Sequence, residues 1–483
     1  MSHERHLVSS AIAKLPCMSL SELIRRIPEI QRQRLKQVAA IIPPWMRQSR
    51  THRYWRRFLH EAQYWPVAQI RSWQLERLRR LVHHAISKTE GYRELYSKAG
   101  LRSAEDIRAL EDLRHLPFTS KELFRDNLAQ FSVASTEGRY ITTGGSTGIP
   151  FGFRELYATS SIEDAFMRTG WSWTGWHLGL PSAVLRGGYV GDEASIARYD
   201  PFTRELALSS YFLMSQSLPR YVRAIRDRNI RVMQAYPSSM NLLCDLVREH
   251  QLEGQLALEI VFLGSENVYP WQLEKFRSTF PKAKFFSWYG HCEKAVLAPW
   301  CEHGAEFHAW PFYGITEVIQ PSGGVAELGE EGEIVGTSFH QMLTPFIRYR
   351  TLDHAVRGPE GCTACGRAFP ILTRITGRAH EVIVTHDGRF ISMTAINMHD
   401  DIFDGIRQFQ FLQEKAGALT FNYVPKANSL TPADEQKIRA GLLVKFGKDM
   451  VLALNPVREI PRTKAGKFRF LDQRMTIQYG DKA

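Results

Sequence analysis

Between Ile230 and Trp288 the chain repeats one pattern that few folds accept. Ile230–Ala235 is an apolar run of strand length, Ser239–His250 has helical spacing, and Leu258–Leu263 is a second strand-length run. A second helix, Trp271–Thr279, and a third strand, Lys284–Trp288, follow. Strands separated by helices of this length predict a parallel sheet with right-handed crossovers and helices covering its faces. Such a sheet binds ligands beyond the carboxyl ends of its strands. Each strand here runs into a polar or aromatic loop: Tyr236-Pro237-Ser238, Gly264-Ser265-Glu266 and Tyr289-Gly290-His291-Cys292-Glu293. The expected class is α/β, with a large domain of mostly parallel sheets covered by helices and a site along one sheet edge.

Upstream lies Thr142-Thr143-Gly144-Gly145-Ser146-Thr147-Gly148-Ile149-Pro150. Its glycines let backbone approach a bound group closely. Its hydroxyls and successive backbone N–H groups can form a concavity that holds an anion. The lysine of the nucleotide-binding P-loop is missing, so this is a cradle of another kind. A plain surface loop has the same composition.

At 483 residues the chain exceeds a single core, and 44% hydrophobic with 23% charged residues is an ordinary globular balance. A net charge of +12 admits nucleic acid or an anionic membrane, and equally an anionic nucleotide substrate. The basic excess is front-loaded in Arg25, Arg26, Arg32, Arg34, Lys36, Arg47, Arg50, Arg53, Arg56 and Arg57. It reads as a solvated face for a membrane surface or partner, without specific nucleic-acid recognition. No apolar run approaches the ~18–20 residues of a transmembrane span. Six cysteines are too sparse for a disulfide scaffold, which points to the cytoplasm. Cys301 and His308, with the Cys362-Thr-Ala-Cys365 pair, suit a closed tetrahedral zinc site, with His303 an alternative fourth ligand and idle thiols the plain reading.

The first sixty residues read as helical segments broken at Pro43-Pro44, and from Trp73 the residues Leu75, Leu78, Leu81, Val82 and Ala85 fall at helix spacing. Thr119 or Ser120 is a candidate helix cap. Beyond Gly377 the character changes. His386-Asp387-Gly388-Arg389 between apolar runs predicts a hairpin, and Thr431-Pro432 opens a helix to about Phe446, followed by a strand at Val451–Leu454. The expected division is a basic helical extension (1–65), a large domain (66–376) and a small α+β domain (377–483).

Taken together, these stretches resemble the ordered motifs of the adenylate-forming ligase superfamily. Thr142–Pro150 resembles its phosphate loop, (S/T)-x-G-(S/T)-T-G-x-P, and Tyr289–Glu293 is similar to Y-G-x-T-E. Tyr349-Arg350-Thr351-Leu352-Asp353 resembles Y-R-T-G-D, and Gly377-Arg378 with Glu381-Val382-Ile383 resembles G-R-x-x-D-x-I. Pro461-Arg462-Thr463-Lys464-Ala465-Gly466-Lys467 resembles P-R-T-x-x-G-K. One match is weak; five in order are specific. The likeness is greatest to the phenylacetate–coenzyme A ligase branch, including relatives found with capsular polysaccharide genes, and covers roughly Arg71 to Leu471. The chain departs from the pattern at Cys292 (threonine in the family), Leu352 (glycine) and Glu381 (aspartate). Phe151 also stands where many relatives carry a basic or polar residue.

The resemblance implies an AMP-forming ligase with a mobile C-terminal lid. It would activate an aryl or acyl carboxylic acid with ATP and Mg²⁺, then transfer it to a thiol, coenzyme A, or alternatively to an amine, amino acid or sugar. A non-catalytic nucleotide-binding protein is a further alternative, and a homodimer is left open. Lys467 would bridge the carboxylate and the α-phosphate, and Glu293 would hold Mg²⁺. Thr142, Thr143, Gly144, Gly145, Ser146, Thr147 and Gly148 would cradle phosphate. Gly264, Ser265, Glu266, Tyr289, Gly290 and His291 would line the nucleotide. Asp353 would accept the ribose hydroxyls, or else pair with Arg348 or Arg350, and Arg378 would contact ribose or phosphate at the hinge. Tyr236, Pro237 and Trp288 would face the acid. The aromatic segment with Phe166, Trp171, Trp173 and Trp176 reads as core packing or as a pocket wall. Structural zinc is carried by some members of the branch.

Overall fold

The structure, a computed structural model, describes Leu20, Ile24 and residues 27–475. Within that span it leaves out 136, 144–150, 187–188, 190–191, 193, 211, 269, 376–381, 389, 393–401, 403–404, 426–429 and 461–470. The hairpin β1 (Arg139–Thr143) and β2 (Phe151–Glu155) is antiparallel, pairing Arg139 with Glu155 and Thr143 with Phe151. It therefore brackets the glycine-rich stretch. Phe151 is buried against Phe124, Phe153 and Phe346, so the residue after that stretch serves the core.

The main sheet contains β3 (Ser182–Leu185), β4 (Ala197–Asp200), β5 (Glu205–Leu208), β6 (Val232–Ala235), β7 (Ile260–Leu263), β8 (Lys284–Gly290) and β9 (Leu297–Pro299). Its order is β4-β5-β3-β6-β7-β8-β9, with β5, β3, β6, β7 and β8 parallel and an antiparallel strand at each edge. The expected strand–helix alternation is present, with helices Pro237–Glu249 and Pro270–Thr279 between β6, β7 and β8. Strand periodicity divides the core. Met233, Ala235, Val261 and Leu263 pack on one face with Leu243, Val247 and Phe276, while Val232, Ile260, Phe262 and Phe286 pack on the other with Trp176 and Trp300.

A second sheet had no counterpart in the sequence reading. Strands β10 (Phe307–His308), β11 (Gly314–Ile319), β12 (Glu331–Ser338), β13 (Tyr349–Glu360) and β14 (Pro370–Ile375) form an antiparallel sheet ordered β10-β14-β13-β12-β11. Further on, β15 (Val382–Val384) and β16 (Phe390–Ser392) form the expected hairpin. Strands β17 (Ile406–Lys415), β18 (Ala418–Pro425), β19 (Val451–Pro456) and β20 (Leu471–Gln473) make a mixed sheet ordered β19-β18-β17-β20. Helix Pro432–Phe446 covers it through Ile438, Leu442 and Phe446, and Thr431 Oγ1 caps that helix by accepting from Asp434 N at 3.2 Å.

The arginine-rich helix Arg50–Ala62 presents Trp55, Leu59 and Ala62 to Phe166 of helix Tyr157–Ser172 and to Trp310, Phe312 and His340. Arg53 and Arg57 point to solvent, as expected of a basic face. Arg47 does not. It is buried, donating to the carbonyls of Ile42 (2.6 Å), Ala40 (2.8 Å) and Phe202, because three backbone oxygens converge there. Of the two cap candidates, Ser120 caps helix Lys121–Asp126 by accepting from Leu123 N, whereas Thr119 donates to Ile347 O at 2.8 Å. No helix among the described residues is long and apolar enough to cross a membrane.

Candidate active site

The carboxyl ends of β3, β6, β7 and β8 lie side by side and present Arg186, Tyr236, Gly264 and Trp288-Tyr289. Pro237 occupies the first turn of the helix after Tyr236, where its missing N–H costs no helical bond. Ser265 follows β7 with φ of 68°, a left-handed turn that sends the chain away from the strand.

Tyr289 Oη donates to Asp353 Oδ2 at 2.9 Å, joining residues 64 positions apart. Asp353 reaches that place through a bulge. Glu333 pairs with His354 and Val335 with Arg350, so Thr351, Leu352 and Asp353 crowd opposite Ile334. Leu352 sits at φ 63°, a conformation natural to glycine and strained for leucine. Glu333 clamps the turn, accepting from Leu352 N (3.0 Å) and Arg350 Nε (2.8 Å). Arg348 is a bidentate partner of Glu317 (2.9 and 3.1 Å) and also donates to the carbonyls of Arg114 and Leu116. Each arginine that was a candidate partner of Asp353 therefore has another carboxylate.

Glu293 is buried and its two oxygens are held from opposite sides. Tyr349 Oη donates to Oε1 at 2.8 Å and His291 Nδ1 lies 3.0 Å from Oε2. Val296 N–H donates to His291 Nε2 (3.3 Å), which puts the ring hydrogen on Nδ1, aimed at the carboxylate. Burial pushes the Glu293 carboxyl up, but His291, the nearby Lys121 cation and Tyr349 outweigh it and hold it at about 2. The result is a fixed anion with lone pairs left for a cation or a water. Neighbouring Cys292 is exposed.

Lys294 follows at φ 55° and turns inward, its Nζ 2.9 Å from Glu155 Oε2 and 3.6 Å from Glu163 Oε2. Glu155 also accepts from Arg139 (2.7 Å) and Gln341 (3.3 Å). The residue after Glu293 is thereby tied to the hairpin that brackets the glycine-rich stretch. Thr142 and Thr143 end β1; Gly144, Gly145, Ser146, Thr147, Gly148, Arg378, Glu381 and Lys467 lie outside the described residues.

Gly264 is where the strand ends close up. A Cβ there would stand 2.6 Å from the Trp288 ring and 2.8 Å from Arg186 Nη2, so only glycine leaves them room. In the aromatic segment, Phe166 and Trp176 are core residues, while Trp171 stacks on Phe262 (centroids 4.5 Å) and lies 5.9 Å from Trp288.

Cys301, His308, Cys362 and Cys365 place their donor atoms within 4.8 Å of one another. His308 Nδ1 lies 3.0 Å from Glu306 O, which fixes the hydrogen on Nδ1 and leaves Nε2 facing Cys365 Sγ at 3.5 Å. Three sulfurs and one oriented imidazole suit tetrahedral zinc, whose ligands stand roughly 3.5–4 Å apart. His303 instead donates its backbone N–H to Cys301 Sγ at 3.4 Å.

Lys121, Arg186 and Lys294 were not singled out in the sequence. Lys294 adjoins a motif and could have been; a single basic residue after an apolar run, such as Arg186, carries no pattern.

A sequence profile described as the CapK C-terminal domain matches residues 383–473. The phenylacetate–coenzyme A ligase of Thermus thermophilus is 26% identical over 449 residues, spanning 84% of this chain and 96% of that protein. That of Pseudomonas putida is 28% identical over 340 residues, 66% of this chain and 72% of that protein. A solved structure of 2-hydroxyisobutyryl-CoA ligase, in complex with 2-HIB-AMP and CoA in the thioesterification state, superposes with a TM-score of 0.58. At 19% identity, covering 86% of this chain and 92% of that one, it shares the fold.

Proposed function

We propose, for a chain that belongs with the phenylacetate–coenzyme A ligases in the adenylate-forming superfamily, that it activates a carboxylic acid with ATP and passes the acyl group to coenzyme A. The observation that carries this reading is the meeting of separate motifs at one sheet edge, Tyr289 with Asp353 and His291-Glu293 with Tyr349. No core-packing demand explains a buried carboxylate held anionic beside the hairpin that brackets the glycine-rich stretch.

In the first half-reaction a carboxylate oxygen attacks the α-phosphorus of ATP, the bond to the β-phosphate oxygen breaks, and pyrophosphate leaves. In the second, the thiol sulfur attacks the acyl carbon, its proton is lost to solvent, and AMP leaves. The barrier is chiefly electrostatic, so fixed charges matter more than an enzyme nucleophile. Asp353, oriented by Tyr289, accepts from the ribose hydroxyls. Glu293, oriented by His291 and Tyr349, keeps a full negative charge and would hold Mg²⁺, which would supply positive charge to offset that of the phosphates. The Arg139–Glu155–Lys294 chain fixes the β1–β2 hairpin, and the stretch it brackets, 144–148, supplies the phosphate cradle. Gly264, Ser265 and Glu266 face the base, and Tyr236, Pro237 and Trp288 face the acid. Lys467 and Arg378 act from a lid formed by residues 377–483, so Lys467 serves the first half-reaction only. With ATP and coenzyme A as substrates, the cytoplasm is the compartment.

ATP–pyrophosphate exchange over a panel of aryl, acyl and amino acids tests the reading, with Lys467→Ala and Glu293→Gln as controls. Acid-dependent exchange lost in both variants is expected, and coenzyme A should then discharge the adenylate in preference to amines or sugars. Absence of ATP binding would overturn the proposal.

A further inference from the structure

Arg186 follows β3, and its half-buried guanidinium has the carboxylates of Glu266 and Glu205 in its surroundings but bonds to neither. Its Nε and Nη2 are shielded from solvent and have no hydrogen-bond partner, and among the described residues it makes no ion pair. Its cation lies over the rings of Trp288 (5.4 Å) and Tyr236 (5.7 Å), in the gap that Gly264 leaves open. Burial lowers the Arg186 pKa, against partial support from Tyr236, Glu266 and Glu205. Close by, Trp171 Nε1 is a second buried donor without an acceptor, on the ring that neighbours Trp288. A cation kept this way is costly to the fold, and an apolar side chain between two aromatic rings would pack without that cost. The cost makes sense if an anion completes the site during the reaction.

ATP is the poorer candidate for that anion. The hairpin that brackets the glycine-rich stretch is tied through Glu155 to Lys294, whereas Arg186 follows β3 and lies against Tyr236 and Trp288. Its neighbours Tyr236 and Trp288 are the residues assigned to the acid. Resting on the acid-activation reading, we infer that the acid substrate carries a second carboxylate, which pairs with the Arg186 guanidinium. The reacting carboxylate then points to the nucleotide and the body of the acid lies against Trp288 and Tyr236. A planar guanidinium suits this task, because it meets a carboxylate through two parallel N–H···O bonds and tolerates aromatic faces above it.

The test compares matched acids, 4-carboxyphenylacetate with phenylacetate and adipate with hexanoate. Binding is followed by tryptophan fluorescence and activation by ATP–pyrophosphate exchange, in the wild type, Arg186→Gln and Arg186→Lys. The wild type is expected to favour a diacid over its monoacid by about 100-fold in kcat/KM, as expected for a buried charge-assisted pair. Arg186→Gln should erase that preference, mainly through KM, and Arg186→Lys should restore part of it. Arg186→Gln should also melt no lower than the wild type, since it removes a half-buried cation whose shielded Nε and Nη2 have no hydrogen-bond partner. Equal use of monoacids and diacids, or a preference indifferent to Arg186→Gln, overturns the inference and leaves acid activation standing. Diacid binding that depends on Arg186, without exchange for any acid, upholds the anion site and overturns acid activation. Failure of every diacid to bind overturns the inference.

Discussion

Replacing Glu293 by glutamine separates the charge of this site from its shape. The folded protein holds the carboxyl at about 2 against an ordinary 4.5, through His291, Lys121 and Tyr349. A folded value below the unfolded one means stabilisation that is complete above pH 4.5 and is lost as pH falls towards 2. The full difference corresponds to about 3 kcal/mol, and somewhat less than half of it is lost between pH 7 and pH 3.5, on the order of a factor of ten in the folding constant. Glutamine does not titrate, and its amide oxygen can still accept one of the two hydrogen bonds. The stability gap between wild type and Glu293→Gln should therefore shrink by about 1 kcal/mol from pH 7 to pH 3.5. Urea unfolding followed by tryptophan fluorescence at both pH values reads that gap. A gap that stays constant with pH refutes the anionic, network-held Glu293, and with it the argument for a cation site there. At pH 7 the variant should lose at least 100-fold of acid-dependent exchange while its near-ultraviolet circular dichroism is unchanged, roughly the effect of removing one preorganised charge from such a site.

Leu352→Gly should be at least as stable as Leu352→Ala, the reverse of the order in an ordinary strand, because glycine relieves a left-handed backbone worth about 1–2 kcal/mol and alanine does not; urea midpoints of both variants check the order. Lys294→Met, which leaves the fully buried Glu155 short of a cation, should cost about 3–5 kcal/mol, with most of it recovered in the Lys294→Met, Glu155→Gln double variant. Purified protein should hold about one equivalent of zinc, as four donors within 4.8 Å imply, and Cys362→Ser should release it and lower the melting temperature, as metal analysis and a thermal melt would show.

The sequence was legible where one physical signal dominated. The strands β6, β7 and β8 stood out because helices of regular spacing separate them, although β7 itself is buried along its whole length. The second sheet was invisible for the same burial without the helices. All of β12 after Glu331 is buried, so it has no polar alternation to count, and its neighbours join it through turns and bulges. In Arg50–Ala62 the arginines concealed a second signal, since Trp55, Leu59 and Ala62 are spaced as a helical core stripe. The cysteine and histidine group could be proposed from residue types, yet only the fold chooses His308 over His303. Arg186 has no local signature; its meaning lies in what surrounds it and in what does not.

The strained backbone explains how these parts act as one site. Seven non-glycine residues among those described have positive φ, and Ser265, Lys294, Arg348 and Leu352 belong to the loops and strand ends of the site. Positions like these cost of order 1–3 kcal/mol each and persist only where the surroundings over-determine them. For three of them the restraint is a carboxylate: Glu155 holds Lys294, Glu317 holds Arg348, and Glu333 holds the N–H of Leu352. Each clamp places one functional group. Glu155 orients the turn that follows Glu293, Glu317 fixes the start of β13 beside Tyr349, and Glu333 fixes the bulge that delivers Asp353 to Tyr289. The clamps also explain how leucine can stand at 352. An N–H held by Glu333 keeps the left-handed turn whether or not the residue favours it, so the position of Asp353 survives the substitution and only stability is lost. Glu333→Gln should then be tolerated far better with glycine at 352 than with leucine. Exchange activity of the single and double variants reads this directly, and equal losses on both backgrounds would break the link between the clamp and the strain.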